Sequence, residues 1–337
     1  MAAYTTIDDP TAYFKVQLYT GNGSANHAIT FDDTDTDMQP DFVWIKNRDA
    51  NDSSCLFDSV RGATKVIHSD GSAAEVTDTD TLDSFTSDGF QVDADVKVNT
   101  NTEKYVAWCW KESATAGFDI VAYTGNGTSG RTVAHSLSAT PEFFTVRRTL
   151  SDGDSWRVFH HKNTAAPETD YMVLDTDAIT ADNAAMWNDT APDSSNFTLG
   201  NAGSTNENTK TFISYLFRGV QGYSKVGVFT GNGNADGTFV YTGFRPAFIL
   251  YKKSAGGAAS QWYLWDNKRA GYNPTNNILF TNLTNDEEVY NYTDIHSNGF
   301  KQKTSYSAVN ESGSTYIYYA VAEAPLVNSN GVPCNAR

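Results

Sequence analysis

Cysteine is scarce in this 337-residue chain, where Cys55, Cys109 and Cys334 are the whole complement. An odd number at unrelated positions supplies neither a disulfide framework nor a zinc site. Cations are outnumbered, with 24 Lys and Arg against 40 Asp and Glu, a formal charge of −16 and a pI near 4.6. That balance excludes a protein that grips nucleic acid by neutralising phosphates and suits an acidic, soluble surface. No apolar run is long enough to span a bilayer as a helix. Residues 1–14 hold neither the basic segment nor the apolar run of a secretory signal, so a soluble product made in a cytoplasm is expected. Apolar residues never persist at i, i+3, i+4 and i+7, and heptads are missing, which argues against long helices and a coiled-coil shaft.

Aromatics, by contrast, are plentiful: 18 Tyr, 19 Phe and 7 Trp, with Gly, Asn, Asp, Ser and Thr crowded between short apolar runs. That mixture describes strands and turns. The segment Tyr19-Thr20-Gly21-Asn22-Gly23 returns as Tyr123-Thr124-Gly125-Asn126-Gly127 and again as Phe229-Thr230-Gly231-Asn232-Gly233. A strand residue followed by Gly-Asn-Gly is a strand entering a tight turn. The spacing of roughly 105 residues is that of a compact domain and exceeds any solenoid period.

The copies align elsewhere. A proline opens an apolar strand in each, at Pro40, Pro141 and Pro246; Phe42, Phe143 and Phe248 then coincide, as do the basic residues Lys46, Arg147 and Lys252. Next come Cys55-Leu56-Phe57-Asp58, Arg157-Val158-Phe159-His160 and Tyr263-Leu264-Trp265-Asp266. Turns ending at Phe90, Phe197 and Phe300 each deliver a phenylalanine into a new strand. Asn99, Asn206 and Asn310 each precede by the same interval the aromatic that opens the strongest strand, at Tyr105, Phe212 and Tyr316. In that strand Val106, Trp108 and Trp110 share one large face with the equivalents Ile213, Tyr215, Phe217 and Ile317, Tyr319, Val321, whereas Ala107 and Cys109 make the other face tight. A central strand packed on a second sheet is expected, and the three asparagines are expected in turns, bonding backbone through their side chains.

The fold class read from these patterns is all-β: three tandem antiparallel β-sandwich, jelly-roll-like domains, each able to bury an independent core. Their boundaries fall at 1–114, 115–221 and 222–324, followed by a C-terminal arm at 325–337. Short joints imply little freedom between domains.

Candidate chemistry is sparse. Asp32, Asp33, Asp35 and Asp37 lack the Gly and the final Glu of a calcium loop and do not recur, so they read as a solvated loop. Asp58 and Asp266 precede basic residues and read as local ion pairs. His27 and His135 follow their turns without a third counterpart. His160 and His161, as strand neighbours, point to opposite faces and make a poor shared ligand set. No Gly-x-Ser-x-Gly, phosphate loop or dinucleotide fingerprint occurs. No catalytic residue, cofactor or metal is expected. Trp156, Trp187 and Trp262 sit among polar residues and are candidates for stacking on a glycan; a buried scaffold role is the alternative, since Trp156 aligns with Trp262.

Tyr-Thr-Gly-Asn-Gly, Pro40-Asp41-Phe42-Val43-Trp44-Ile45-Lys46-Asn47-Arg48, Asp58-Ser59-Val60-Arg61-Gly62, Ser87-Asp88-Gly89-Phe90 and Tyr105-Val106-Ala107-Trp108-Cys109-Trp110-Lys111 together resemble a module of unassigned function. That module is repeated in structural proteins of tailed bacteriophages, marine ones especially. The likeness covers most of the chain and is closest over 13–113; the end at 330–337 also resembles that family's usual end. The second copy replaces Asp-Ser-Val-Arg with His160-His161-Lys162-Asn163, the third with Asp266-Asn267-Lys268-Arg269. The resemblance implies a virion protein with lectin-like sandwich modules and brings no catalytic residues. Two function classes follow. One is a non-enzymatic virion component, a tail or baseplate adhesin or a capsid decoration protein, present in many copies or as a homo-oligomer, that meets other virion proteins and host glycans. The other is a polysaccharide depolymerase on the same scaffold.

Overall fold

A computed structural model describes residues 3–31, 36–150 and 153–334 of the chain. The all-β class holds: antiparallel sheets in sandwich-like layers, with helix confined to single turns. Each copy builds its main sheet in one order. In the first, Phe14–Thr20 lies beside Lys104–Trp110, then Phe42–Asn47, Cys55–Asp58, Lys65–His68 and Val76–Thr77. In the second the order is Phe118–Thr124, Thr211–Phe217, Phe143–Arg148, Arg157–His160, Asp170–Val173 and Ala181–Asp182. In the third, Ser224–Thr230, Thr315–Pro325, Phe244–Ala255, Tyr263–Asp266 and Thr275–Phe280 continue through Glu288–His296 and Gly299–Gln302 to Phe239–Tyr241. A small second sheet backs the first copy (His27–Thr30, Gly89–Val92, Leu82–Thr86) and the second (Arg131–Ala134, Asn196–Leu199). The strongest strand is central in every copy, and Trp108, Tyr215 and Tyr319 occupy the same register, opposite Val16 and Trp44, Ile120 and Thr145, Val226 and Leu250.

The two most regular sequence signals meet in space. Gly21, Gly125 and Gly231 pass so close to the backbone after the asparagine that an added Cβ would lie 2.1, 2.0 and 2.3 Å from the carbonyl oxygens of Thr100, Glu207 and Glu311. Gly23, Gly127 and Gly233 have φ near +67, +69 and +69°, a region costly to any side chain. Asn99 then clamps the turn: its Oδ1 accepts from Asn22 N at 2.8 Å and its Nδ2 donates to Ser24 O at 2.9 Å. Asn206 repeats this on Asn126 N and Thr128 O, and Asn310 on Asn232 N and Asn234 O. The side-chain bonds to backbone are as expected; the position is not, because each asparagine ends a one-turn helix, Val96–Asn99, Gly203–Asn206 or Ser307–Asn310. The aromatic six residues on stacks on the first ring of the turn motif, at 5.1 Å for Tyr19–Tyr105, 5.2 Å for Tyr123–Phe212 and 4.9 Å for Phe229–Tyr316.

The two faces of the central strand go to different places. The tight face is covered within its own repeat: Ala107 and Cys109 pack with Ile29, Leu82, Phe90 and Val92 of the small sheet. The large face does not meet that sheet. Trp108 and Trp110 join Tyr215, Phe217, Tyr319 and Val321 in one cluster that draws on all three copies. Phe42 of the first copy sits 4.4 Å from Tyr215 of the second, Phe217 of the second 4.8 Å from Tyr319 of the third, and Phe248 of the third 5.2 Å from Trp110 of the first. Each copy thus has a core of its own, and its largest apolar face belongs to a core held in common. A gap of about 30 Å³ among Phe42, Trp110, Phe143, Phe217, Phe248 and Tyr319 is the size of a methyl group or one water.

A single repeat cut out as residues 115–221 therefore exposes Ile213, Tyr215 and Phe217, an apolar patch of the kind that drives association. Scanning calorimetry should show one cooperative transition for the whole chain and none for the excised repeat; three independent transitions in the whole chain contradict a common core.

Candidate functional site

The polar residues that the copies share converge on the seams between repeats. The coinciding cations Lys46, Arg147 and Lys252 are wholly buried. The first two lie near the ends of Phe42–Asn47 and Phe143–Arg148, the third inside Phe244–Ala255. A proline opening that last strand was expected, but the strand starts before Pro246 and takes it in at a bulge. Lys46 Nζ donates to Thr284 O of the third repeat at 2.8 Å, Arg147 Nη2 to Ala73 O of the first, and Lys252 Nζ to Asp177 O of the second at 2.8 Å. Two residues further along, the backbone oxygens of Arg48, Thr149 and Ser254 accept from Glu287, Glu75 and Thr180 N–H, at 2.9, 2.8 and 3.2 Å. Every seam therefore carries the same pair of contacts, and the third repeat returns to the first. Burial of the ammonium pushes Lys46 down to about 8 and Lys252 to about 7.

Next to these lies a second equivalent position. Asp58 and Arg61 pair at 2.5 Å, and Arg61 N–H also donates to Asp58 Oδ1 at 2.7 Å; the neighbouring repeat adds Tyr215, whose hydroxyl donates to Asp58 Oδ2 at 2.7 Å. Asp266 and Arg269 pair at 2.6 Å, and there Trp108 Nε1 of the first repeat donates to Asp266 Oδ2 at 3.1 Å. Glu75 and Glu287 supply each guanidinium with a second carboxylate. Local pairing was legible from the sequence. The donors from the next repeat were not, although Trp108 and Tyr215 sit at one aligned position.

The second repeat solves the same place without charge. His160 replaces the aspartate, Asn163 the arginine. Lys162 N–H donates to His160 Nδ1 at 3.1 Å, so the proton rests on Nε2, which faces Tyr318 O of the third repeat at 3.4 Å. Burial, with His161 beside it, lowers His160 to about 3, and it stays neutral. The two histidines do not point to opposite faces as strand neighbours would: the strand ends at His160, and the His161 ring turns back to lie edge-on 5.5 Å from that of His160, with its Nδ1 3.7 Å from Glu142. His27 Nδ1 contacts Asn99 Oδ1 at 2.8 Å and His135 Nε2 contacts Asp193 O at 3.1 Å. Among the described residues no group of three or more His, Cys, Asp or Glu is placed to hold a metal; Asp32, Asp33 and Asp35 lie outside those residues.

The three tryptophans considered for glycan contact are buried at 0, 1 and 1 % exposure. Trp156 Nε1 donates across a seam to His68 O and Trp262 Nε1 across the next to Val173 O, both at 2.8 Å. The first repeat has Ser54 at the aligned position, and Ser69 Oγ spans the remaining seam to Thr281 O at 2.6 Å. Trp187 donates to Asp170 O and packs on Phe144 inside the second repeat. No ring face of the three is free to stack on a sugar, because strand pairing and the neighbouring repeat cover them; their place is the scaffold one that the alignment of Trp156 with Trp262 offered as the alternative.

Fold and seams define a class: an all-β protein of three internal copies closed on one another. Residues 9–325 match a family described as a domain of unknown function, DUF7483, and the chain belongs to that family. The match runs across all three copies. No curated protein and no solved structure matches the chain.

Replacing Asp58 by Ala leaves the buried Arg61 without its nearest carboxylate, with Glu75, Leu56 O and the Tyr215 hydroxyl remaining, and should cost about 3–5 kcal/mol, whereas joint replacement of Asp58 by Leu and Arg61 by Met should cost far less. Urea unfolding midpoints of the two variants test the difference. For His160 the sign is set by a folded value of about 3 against about 6.5 unfolded. The unfolded chain takes up a proton that the folded chain refuses, so this residue lowers stability as pH falls from about 6.5 towards 3. His160→Asn should melt with a shallower acid dependence than the parent across that window; parallel profiles exclude the assignment.

Proposed function

We propose that the chain is a non-enzymatic structural component of a bacteriophage virion, tail- or baseplate-associated or decorating the capsid, that serves assembly or attachment to a host surface. One observation carries the reading: the polar side chains common to the copies, Asn99, Asn206 and Asn310 and then Lys46, Arg147 and Lys252, hold turns and seams together. What recurrence has kept is rigidity, the property asked of a particle component. The likeness of Tyr19 to Gly23 and of Pro40 to Arg48 to modules of tailed-phage structural proteins supports the setting. Many copies on one particle turn weak single contacts into avidity. Its partners are then other virion proteins and a host glycan, and the protein is made in the host cytoplasm before assembly. An acidic surface of formal charge −16 suits neither nucleic acid nor an anionic membrane. No helix among the described residues is long and apolar enough to cross a bilayer.

Immunogold labelling of purified particles should place the protein on the virion, and particles lacking it should assemble defectively or adsorb poorly. In parallel, the pure protein should release no oligosaccharide from host surface polysaccharide. Multiple-turnover release that disappears on changing one carboxylate replaces this reading with a depolymerase.

A further inference from the structure

The third repeat departs from the other two in a way that folding does not require. Its strands Glu288–His296, Gly299–Gln302 and Phe239–Tyr241 form the outer layer of that sandwich, with Ile295, Phe300 and Val240 buried in the core beneath. Alternation turns Phe239 and Tyr241 outward, where they are 44 and 49 % exposed. Pairing fixes their counterparts. Val240 lies opposite Phe300 as Ile29 lies opposite Phe90 and Val133 opposite Phe197. The residues flanking Val240 therefore correspond to Ala28 and Thr30 in the first repeat and to Thr132 and Ala134 in the second. The same layer folds twice with small residues there, so the sandwich does not call for large exposed rings, even though the Tyr241 hydroxyl also meets that of Tyr4.

Further rings adjoin them. His296 lies 5.8 Å from Phe239, and Lys225 Nζ sits 5.4 Å from the Tyr241 ring while donating to Tyr241 O. Along the same strand as His296, Tyr292 stacks between Tyr290 at 5.0 Å and Tyr306 at 5.3 Å. Tyr306 stands at the helix N-cap, where the first repeat has a capping Asp95 and the second Ala202, so the position does not call for a ring. On this layer Lys301 pairs with Asp236 and Lys303 with Asp294, while Glu288 accepts from Asn285 and Lys225 at the edge donates to Tyr241 O.

We propose that this outer layer of the third repeat is a binding face for a neutral saccharide chain. Aromatic rings match the apolar faces of sugar rings, and the Lys301 and Asp294 side chains, directly opposite in register, offer hydrogen bonds to hydroxyls at the margin. Rings separated by paired charges lack the continuous apolar centre of a protein interface. With Lys301 and Lys303 already paired to carboxylates of the chain, an uncharged ligand is favoured over an acidic one. The face deepens the attachment reading and rests on it only for where the glycan is met.

The test is an array of neutral and acidic microbial saccharides probed with the purified full chain, followed by calorimetry with the soluble saccharides bound. Neutral saccharides should bind. Phe239→Thr with Tyr241→Ala, which restores the residue types of the other repeats, should weaken binding at least tenfold without moving the melting temperature. Val60→Ala, at an exposed apolar side chain of the first repeat, should leave it intact. No binding on the array, binding to acidic saccharides alone, or unchanged affinity in the double variant overturns the proposal, as does a dimer of the parent chain that the double variant loses. Those outcomes leave immunogold labelling of particles unaffected, so failure here and failure of the structural reading are separable.

Discussion

Burial of one strand face decides the architecture. Val106, Trp108 and Trp110, with their counterparts in the other copies, present more apolar surface than the small sheet of a single repeat covers. Removing side chains of this size from water contributes on the order of 1.5–3 kcal/mol each. Left exposed, the same residues would form a patch larger than soluble monomers tolerate. Three such faces meeting at one place satisfy one another, and the strand order of every repeat, with its strongest strand in the middle, is what aims them there.

Apolar packing is non-directional, and the seams supply the direction. A buried lysine or arginine that must find a backbone oxygen in the adjacent copy fixes how two repeats sit; a slip of one residue would leave a charge buried without an acceptor. Lowered pKa values at Lys46 and Lys252 record the cost of that arrangement. The Asp58–Arg61 and Asp266–Arg269 pairs carry a similar cost, offset by a full set of partners. That the second repeat fills the equivalent place with His160 and Asn163 shows that the position demands hydrogen bonding in a confined space and is indifferent to charge.

Much of this could be read from the chain. Recurrence of Tyr-Thr-Gly-Asn-Gly, the fixed interval from Asn99 to Tyr105 and the alternation around Trp108 are local signals, and they gave strands, turns and central positions correctly because local chemistry determines them. Periodicity tells which side of a strand is apolar and is silent on what covers it. Hence a second sheet against the strand of Trp108 was expected and is found on its tight face, while nothing local told that the large face meets the other repeats. The coincidence of Lys46, Arg147 and Lys252 was visible, yet a cation at a strand end ordinarily faces water, and only the fold reveals the carbonyls opposite. Trp156 and Trp262 could be candidates for glycan contact for the same reason, that their polar neighbours in sequence are neighbours along a seam, and it was their alignment that pointed to the scaffold role. Phe239 and Tyr241 escaped notice because the segment after each turn varies in length, and alignment there needs the strand register.

Joining three copies in one chain has a consequence for symmetry. In an assembly of separate identical subunits every substitution appears three times, so a change that suits one environment is imposed on all. Covalent linkage lifts that restriction: the second copy keeps a neutral seam and the third alone carries outward rings, while the first and second keep Ala28, Thr30, Thr132 and Ala134 at the aligned places. The molecule is accordingly threefold in its interior with one ring-bearing face on its surface, so binding through that face, as proposed, would be monovalent for each chain however many repeats it contains.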